Sequence, residues 1–317
     1  MCSSIHDSEG SHDVSSQRPP STPDGPHDGV PTAVSTASPM RRFAGRLVRQ
    51  KLAVISLAVL TVFVLIALLS DLLAPYDPRQ QDLVSRNLPP HGNHPFGTDD
   101  LGRDVLSRLI DGTGITLMAP VIAVGVGLVL GVPIGLLAGY FGGWFDWLSS
   151  RLADALFAIP GLILAMAVVA VRGQSTVNVM IAVGVLFAPR LFRVIRAETM
   201  VIASSRFVDA AVTAGASPLR IIRTHVVPNV APSLIVQCTV LLGLGVLIEA
   251  GLSFFGIGVQ PPNASWGVVL RRSFDAISEE PMLSFAPGAA ITLLILSLQF
   301  LGDGMRDSLG REIRRGK

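Results

Sequence analysis

Residues 206–229 read Arg206-Phe207-Val208-Asp209-Ala210-Ala211-Val212-Thr213-Ala214-Gly215-Ala216-Ser217-Pro218-Leu219-Arg220-Ile221-Ile222-Arg223-Thr224-His225-Val226-Val227-Pro228-Asn229. Long apolar runs flank this stretch on both sides, so it is expected to be a loop of about thirty residues in water beside a membrane. It is not composed like a loop. Val208, Ala211, Val212 and Gly215 fall on one helical face, and the small Ala210, Ala214 and Ala216 allow another surface to come close. Gly215 suits a helix C-terminus, and Ser217-Pro218 offers an N-cap and a first-turn proline for a second short helix. Two short helices joined at a glycine, on the wet face of a membrane protein, have the form of a docking element.

The surrounding composition supports the membrane reading. Half of the 317 residues are hydrophobic and only 15% are charged, which is unlike a soluble domain. A spanning helix needs about 20 apolar residues. Six stretches meet or approach this: 52–73, 115–140, 152–171, 176–192, 230–255 and 283–301. The fourth is the shortest, with Arg190 and Arg193 at its end. The runs are continuous and rich in Leu, Ala and Val rather than alternating, which predicts an all-α integral membrane fold and not a barrel. Cations set the orientation. Arg41, Arg42, Arg46, Arg49 and Lys51 precede the first run. Arg190, Arg193, Arg196, Arg206, Arg220 and Arg223 surround the polar stop, and Arg306, Arg311, Arg314, Arg315 and Lys317 follow the last run. Six crossings put all three groups, and both termini, on the cytoplasmic side. The net charge of +2 gives no reason to invoke nucleic acid.

Residues 1–40 are rich in Ser, Pro, His, Asp and Gly and are expected to be a disordered cytoplasmic tail. His6, His12 and His27 are too irregularly spaced there to suggest a metal site. The first apolar run is too long and too far from the N-terminus for a cleaved leader and acts as a signal anchor. Cys2 and Cys238 lie in the tail and in a span, so no disulfide framework is expected. The expected organisation is then the tail (1–40), a first span with an external loop and amphipathic helix (41–114), a five-helix core (115–305) containing the cytoplasmic loop 196–229, and a short C-terminal tail (306–317).

The polar stop resembles the EAA loop of binding-protein-dependent ABC importer permeases. An acidic residue precedes Ala-Ala (Asp209, Ala210, Ala211), Gly215 and Ile221 follow, and His225, Pro228 and Asn229 complete the pattern. Asp209 stands where the family usually has Glu. The external Phe96-Gly97-Thr98-Asp99-Asp100-Leu101-Gly102-Arg103-Asp104 resembles the second-type permease of the dipeptide, oligopeptide and nickel importers. Gly256-Ile257-Gly258-Val259-Gln260-Pro261-Pro262-Asn263-Ala264-Ser265-Trp266-Gly267 is similar to another stretch of that group, with Phe255 for its leading Leu and Ala264 where Pro is common. Gly302-Asp303-Gly304-Met305-Arg306-Asp307-Ser308-Leu309 resembles its ending, although Gly310-Arg311 replaces Asp-Pro. The resemblance covers about residues 40–317. It implies a six-span type I importer permease whose residues 209–229 carry a coupling helix. The implied partners are a second homologous permease, two cytoplasmic ATPase domains that bind ATP and Mg, an extracytoplasmic solute-binding protein and membrane lipid. It also implies multi-pass residence in the plasma membrane.

Several polar residues carry two readings at this level. Asp99, Asp100, Arg103 and Asp104 form either a local ion-pair and capping network or a contact with the binding protein. Trp266 is suited to the membrane–water interface, or faces the same partner. Glu249, inside an apolar run, is either a pathway contact or a structural hydrogen-bonding group. Gly127, Gly131 and Gly135 favour close helix packing, with the second permease as one candidate surface. His91, His94 and Asp99 do not make a convincing metal set. No phosphate-binding Gly-x-x-x-x-Gly-Lys-Ser/Thr and no catalytic motif occurs, so no catalytic residue, metal site or cofactor is assigned to this chain. The expected function is a permease subunit of an ATP-driven importer for peptides or a similar small solute such as a nickel chelate. An ion-gradient carrier using Glu249 and a membrane-anchored scaffold are the alternatives.

Overall fold

The computed structural model describes residues 50–315. The N-terminal tail, with Cys2 and Arg41, Arg42, Arg46 and Arg49, lies outside the described residues, as does Lys317. Among the described residues the structure is helical, with no strand beyond the isolated bridges His91–His94 and Thr98–Asp104. The helices are α1 (Lys51–Leu68), α2 (Ser70–Leu73), α3 (Val105–Phe141), α4 (Gly143–Phe157), α5 (Gly161–Arg172), α6 (Thr176–Ala203), α7 (Arg206–Thr213), α8 (Pro218–Ile221), α9 (Val227–Phe254), α10 (Trp266–Asp275) and α11 (Phe285–Arg315). A π turn, Ile222–Val226, joins α8 to α9.

Five helical stretches are long and apolar enough to cross a membrane: Lys51–Leu68, Val105–Phe141, Thr176–Ala203, Pro218–Phe254 and Pro281–Ser308. The expected third span, 152–171, is instead two helices, α4 and α5, interrupted at Ala158–Pro160. Pro160 has no N–H to continue the ladder, and its ring excludes the helical conformation for the residue before it. Elsewhere the helices outrun the apolar runs. The amphipathic helix expected before span two is the first part of α3, and α11 continues to Arg315 without a break where a tail was expected.

The seam between α3 and α6 is the most extensive helix contact. Gly127, Gly131, Gly135 and Gly139 of α3 lie one turn apart and are all buried. A Cβ on Gly127 would sit 3.0 Å from Phe187 Cβ, one on Gly135 2.9 Å from Phe192 O, and one on Gly139 2.7 Å from Arg196 O. Gly184 of α6 returns the contact against Ala123 and Val126. Small residues therefore let two parallel backbones touch, which is how helices gain dispersion energy where lipid offers no hydrophobic drive. The glycine row meets a helix of its own chain and is not available to a second permease.

On the external side, residues 74–104 fold over the start of α3. Asp104 caps α3 by accepting from Ser107 N at 2.7 Å and Ser107 Oγ at 2.7 Å. Its other oxygen lies 3.0 Å from His94 Nδ1, and the His94 ring packs on Tyr76. Asp99 accepts from Arg103 Nε at 2.8 Å and from the Leu101 and Arg103 backbone N–H groups, with Arg108 Nε 3.8 Å away. Arg108 Nη1 donates to Pro78 O, and Arg272 of α10 grips both oxygens of Asp100 at 2.9 Å. One buried carboxylate thus pairs with Arg103 and lies near a second buried guanidinium, Arg108.

Two outcomes follow. Gly135→Leu should lower the stability of the purified protein by about 1–3 kcal/mol through overpacking. Gly125→Leu on the same helix, where a Cβ meets nothing within 4 Å, should be tolerated in the same thermal melt. Asp99→Ala leaves Arg103 and Arg108 buried without their countercharge and should cost about 3–5 kcal/mol, read as a lowered melting temperature.

Candidate functional site

The element expected to face the cytoplasm is built from α6 through α9. After α6 ends at Ala203, Ser205 precedes α7 with its hydroxyl donating back to Ile202 O, and the chain turns at Gly215, whose φ is +79°. Gly215 N donates to Val212 O at 2.9 Å and Ala216 N to Ala211 O at 3.0 Å, a Schellman pair that satisfies the last carbonyls of α7. Space around a Cβ at Gly215 is open, so the glycine is required by its left-handed backbone and not by close approach.

Val208 turns inward with Ile221, Val226 and Val230 and packs on Ile195 of α6, with Leu136 and Tyr140 of α3 alongside. Ala211 and Ala216 complete this packing. Val212 does not share the inward face: it is 55% exposed, together with Phe207, Leu219, Asp209, Ala210 and Ala214. The element is therefore fastened by one apolar edge and presents Phe207, Ala210, Val212 and Leu219 outward around Asp209. Exposed apolar groups gathered on a segment that should lie in water mark an interaction surface.

The second short helix is not separate. Pro218–Phe254 is one continuous helical rod, α8 leading through the π turn into α9. Val227 N bonds Ile222 O across the π turn, Pro228 contributes no donor, and Asn229 Nδ2 donates to His225 O at 2.6 Å. His225 is held beside Phe207, ring centroids 6.0 Å apart. Ile221 is buried, while Pro228 and Asn229 are exposed. The apolar run starts only at residue 230 because Arg220, Arg223, Thr224 and His225 before it are polar, yet the π turn Ile222–Val226 carries one helix across them.

Polar clamps tie the same region to the spans. Arg196 of α6 makes a two-pronged pair with Asp146 of α4, one prong at 2.6 Å. Arg193 pairs with Asp154 at 2.7 Å and lies over the Phe157 ring. Ser233 of α9 donates to Glu198 of α6 at 2.9 Å. Arg151, three residues before Asp154, approaches it only to 3.9 Å, secondary to Arg193.

The remaining sequence candidates lie apart from this element. Glu249 is 1% exposed, its Oε1 accepting from Ser253 Oγ at 2.7 Å, and Ser253 also accepts from Val259 N. It braces the 255–265 loop against α9 and lies inside the chain, not on a surface that a passing solute can touch. Trp266 is 2% exposed. Its ring meets Phe63 of α1 edge-on, Nε1 donates to Leu109 O at 2.9 Å, and its backbone N–H reaches Thr116. It is a core residue and neither an interfacial anchor nor a partner contact. Asp99, Arg103 and Asp104 are likewise enclosed, and Asp100 is spent on Arg272. A partner approaching this loop meets other side chains.

Comparison with known proteins agrees with this arrangement. Residues 131–315 match the family of binding-protein-dependent transport system inner membrane components. Residues 38–90 match the N-terminal transmembrane domain of oligopeptide transport permease C. The chain is 36% identical over 281 residues to the glutathione transport system permease protein GsiD of Pectobacterium atrosepticum, covering 88% of this chain and 93% of that one. It is 38% identical over 278 residues to GsiD of Escherichia coli, covering 87% and 92%. The fold matches an inward-facing conformation of the MetNI methionine ABC transporter with a TM-score of 0.52 at 19% identity, over 67% of this chain and 97% of that one. With five apolar helices and this match over most of its length, the chain belongs to the binding-protein-dependent inner-membrane components, as a multi-pass ABC importer permease of the plasma membrane.

Proposed function

We propose that this chain forms one half of a translocation pathway for a peptide-like solute, with a second homologous permease supplying the other half. The solute is delivered by an extracytoplasmic binding protein and driven by two cytoplasmic ATPase domains. ATP and Mg belong to those partners; the family is one of transport permeases and not of enzymes. A peptide-like cargo is favoured over a nickel chelate by the glutathione transport systems to which the two relatives belong, since glutathione is itself a tripeptide.

The observation that carries the coupling role is the outward set Phe207, Asp209, Ala210, Val212 and Leu219 on an element anchored by Val208. Small and apolar side chains there suit a groove on an ATPase surface. Gly215 sets the angle between α7 and the rod that follows, and Ile221, His225, Pro228 and Asn229 build the start of that rod. Because Pro218–Phe254 is unbroken, displacement of α7 by a closing ATPase dimer is delivered to the external end of α9 as rigid-body motion. Counting α4 and α5 as one interrupted crossing makes six, with both termini in the cytoplasm. A gradient-driven carrier built on Glu249 is not favoured, since that carboxyl is enclosed and bonded to Ser253.

Asp209 and Ala210 are exposed, so Asp209→Arg with Ala210→Trp leaves the chain's own packing intact. In the co-purified complex this pair should reduce ATP hydrolysis stimulated by the loaded binding protein by about tenfold or more, equivalent to at least about 1.4 kcal/mol of lost contact. Normal stimulation in the double variant would remove the coupling assignment.

A further inference from the structure

Arg190 takes no part in the packing and pairing that fix the bundle. The sequence groups it with the cytoplasmic cations, but it stands at the middle of α6, Thr176–Ala203. Its level in the bundle is set by the glycine seam: Gly131 of α3 abuts Ala188 and Leu191 of α6. Gly131 is roughly ten residues, or about 15 Å, short of the cytoplasmic end of α3 at Phe141. That is about half the thickness of a bilayer's hydrocarbon layer. Arg190 is exposed at this depth, and among the described residues it makes no hydrogen bond or ion pair. The neighbouring Arg193, one turn further in, is by contrast paired with Asp154.

A second feature lies at the same level. The interruption between α4 and α5, Ala158-Ile159-Pro160, is exposed together with Gly161. Asp154 just before it reaches Arg193, and a Cβ on Gly161 would lie 3.1 Å from Leu186 just after it. The break therefore runs alongside the segment of α6 that carries Arg190. Irregular backbone and an unpaired charge are each costly against lipid, and at membrane depth both are tolerated only beside protein or a water-filled cavity. Leu186 and Arg193, which meet the two sides of the break, lie four residues before and three after Arg190, so the guanidinium and the break share one side of α6, and the two side by side call for water.

We propose that Arg190 and the helix break at Ala158–Pro160 form a wetted, anion-selecting step on the wall of the translocation pathway, which receives a carboxylate of the passing solute. The carboxylate assignment rests on the peptide-like cargo proposed above; the wetted cationic step does not. The guanidinium offers a two-pronged match to a carboxylate, and the open helix ends leave backbone groups for the rest of a peptide.

The test uses the assembled importer in proteoliposomes, with Cys2 and Cys238 replaced by Ser and Ile159→Cys introduced on the break. Its reaction rates with two membrane-impermeant reagents, anionic sulfonatoethyl and cationic trimethylammonioethyl methanethiosulfonate, are each divided by the rate with a free thiol in solution. The step predicts preference for the anionic reagent on the order of tenfold, collapsing towards parity when Arg190→Gln is added. Val129→Cys, on an exposed apolar position of α3, provides the unreactive control. If Ile159→Cys is as inert as that control, or the preference survives Arg190→Gln, the proposal is overturned. Glutathione uptake by the Arg190 form separates the two readings. Charge preference without glutathione uptake removes the cargo reading and keeps the step. Uptake that persists at full rate in Arg190→Gln removes the carboxylate contact.

Discussion

Backbone contact between α3 and α6 is the constraint on which the rest of this structure depends. Four glycines at one-turn spacing remove the side chains that would hold the helices apart, and Gly184 removes the obstacle on the other side. Leu and Val facing lipid give no net drive to associate, so such contact has to be made by close packing. Once α3 and α6 are in contact, the inner edge of α3 offers Leu136 and Tyr140 to the polar segment that follows α6. Arg196 and Arg193 then face α4, where Asp146 and Asp154 receive them. The cytoplasmic element is thus mounted on the seam.

The external side uses a different chemistry for the same purpose. There the chain is irregular and its fixation comes from charge: Asp99 with Arg103 and Arg108, Asp104 as a cap, Asp100 with Arg272. Trp266 and Glu249 lie beneath this cover and knit α1, α3, α9 and α10 together. Residues that look functional in a linear reading are here spent on holding the external ends of the helices in register. The rod Pro218–Phe254 joins this braced end to the polar element after α6, the continuity that the proposed lever requires.

Much of this was legible in the residues. Unbroken apolar runs located the long helices, the small-residue row announced close packing, and Gly215 with Ser217-Pro218 located the turn in the polar segment. What was not legible depends on tertiary neighbours. A fourfold glycine row states that a backbone comes near but not whose, and here it is α6 of the same chain. Val212 has the same periodicity as Val208, and only the position of Ile195 decides which of them turns inward. Trp266 has the chemistry of an interfacial anchor and becomes core because Phe63 and the Leu109 carbonyl are waiting for it. The apolar run begins only at residue 230, yet the helix is already formed from Pro218 and passes through the π turn Ile222–Val226. Hydropathy counted 152–171 as one span because averaging passes over a single Pro160.

In the proposed mechanism α7, the rod Pro218–Phe254 and the α3–α6 pair move as one body when the ATPase partners close. Spin labels at Thr213 on α7, outside the docking set, and at Leu247 near the external end of the rod, both on exposed positions, report this directly in the assembled importer. Their separation by pulsed dipolar spectroscopy should be the same in the nucleotide-free and ATP-trapped states, while the distance from Leu247 to a label on the second permease changes. A separation within the chain that shifts by several ångströms, with the distance to the partner constant, would show the turn at Gly215 or the π turn acting as a hinge and would contradict the lever.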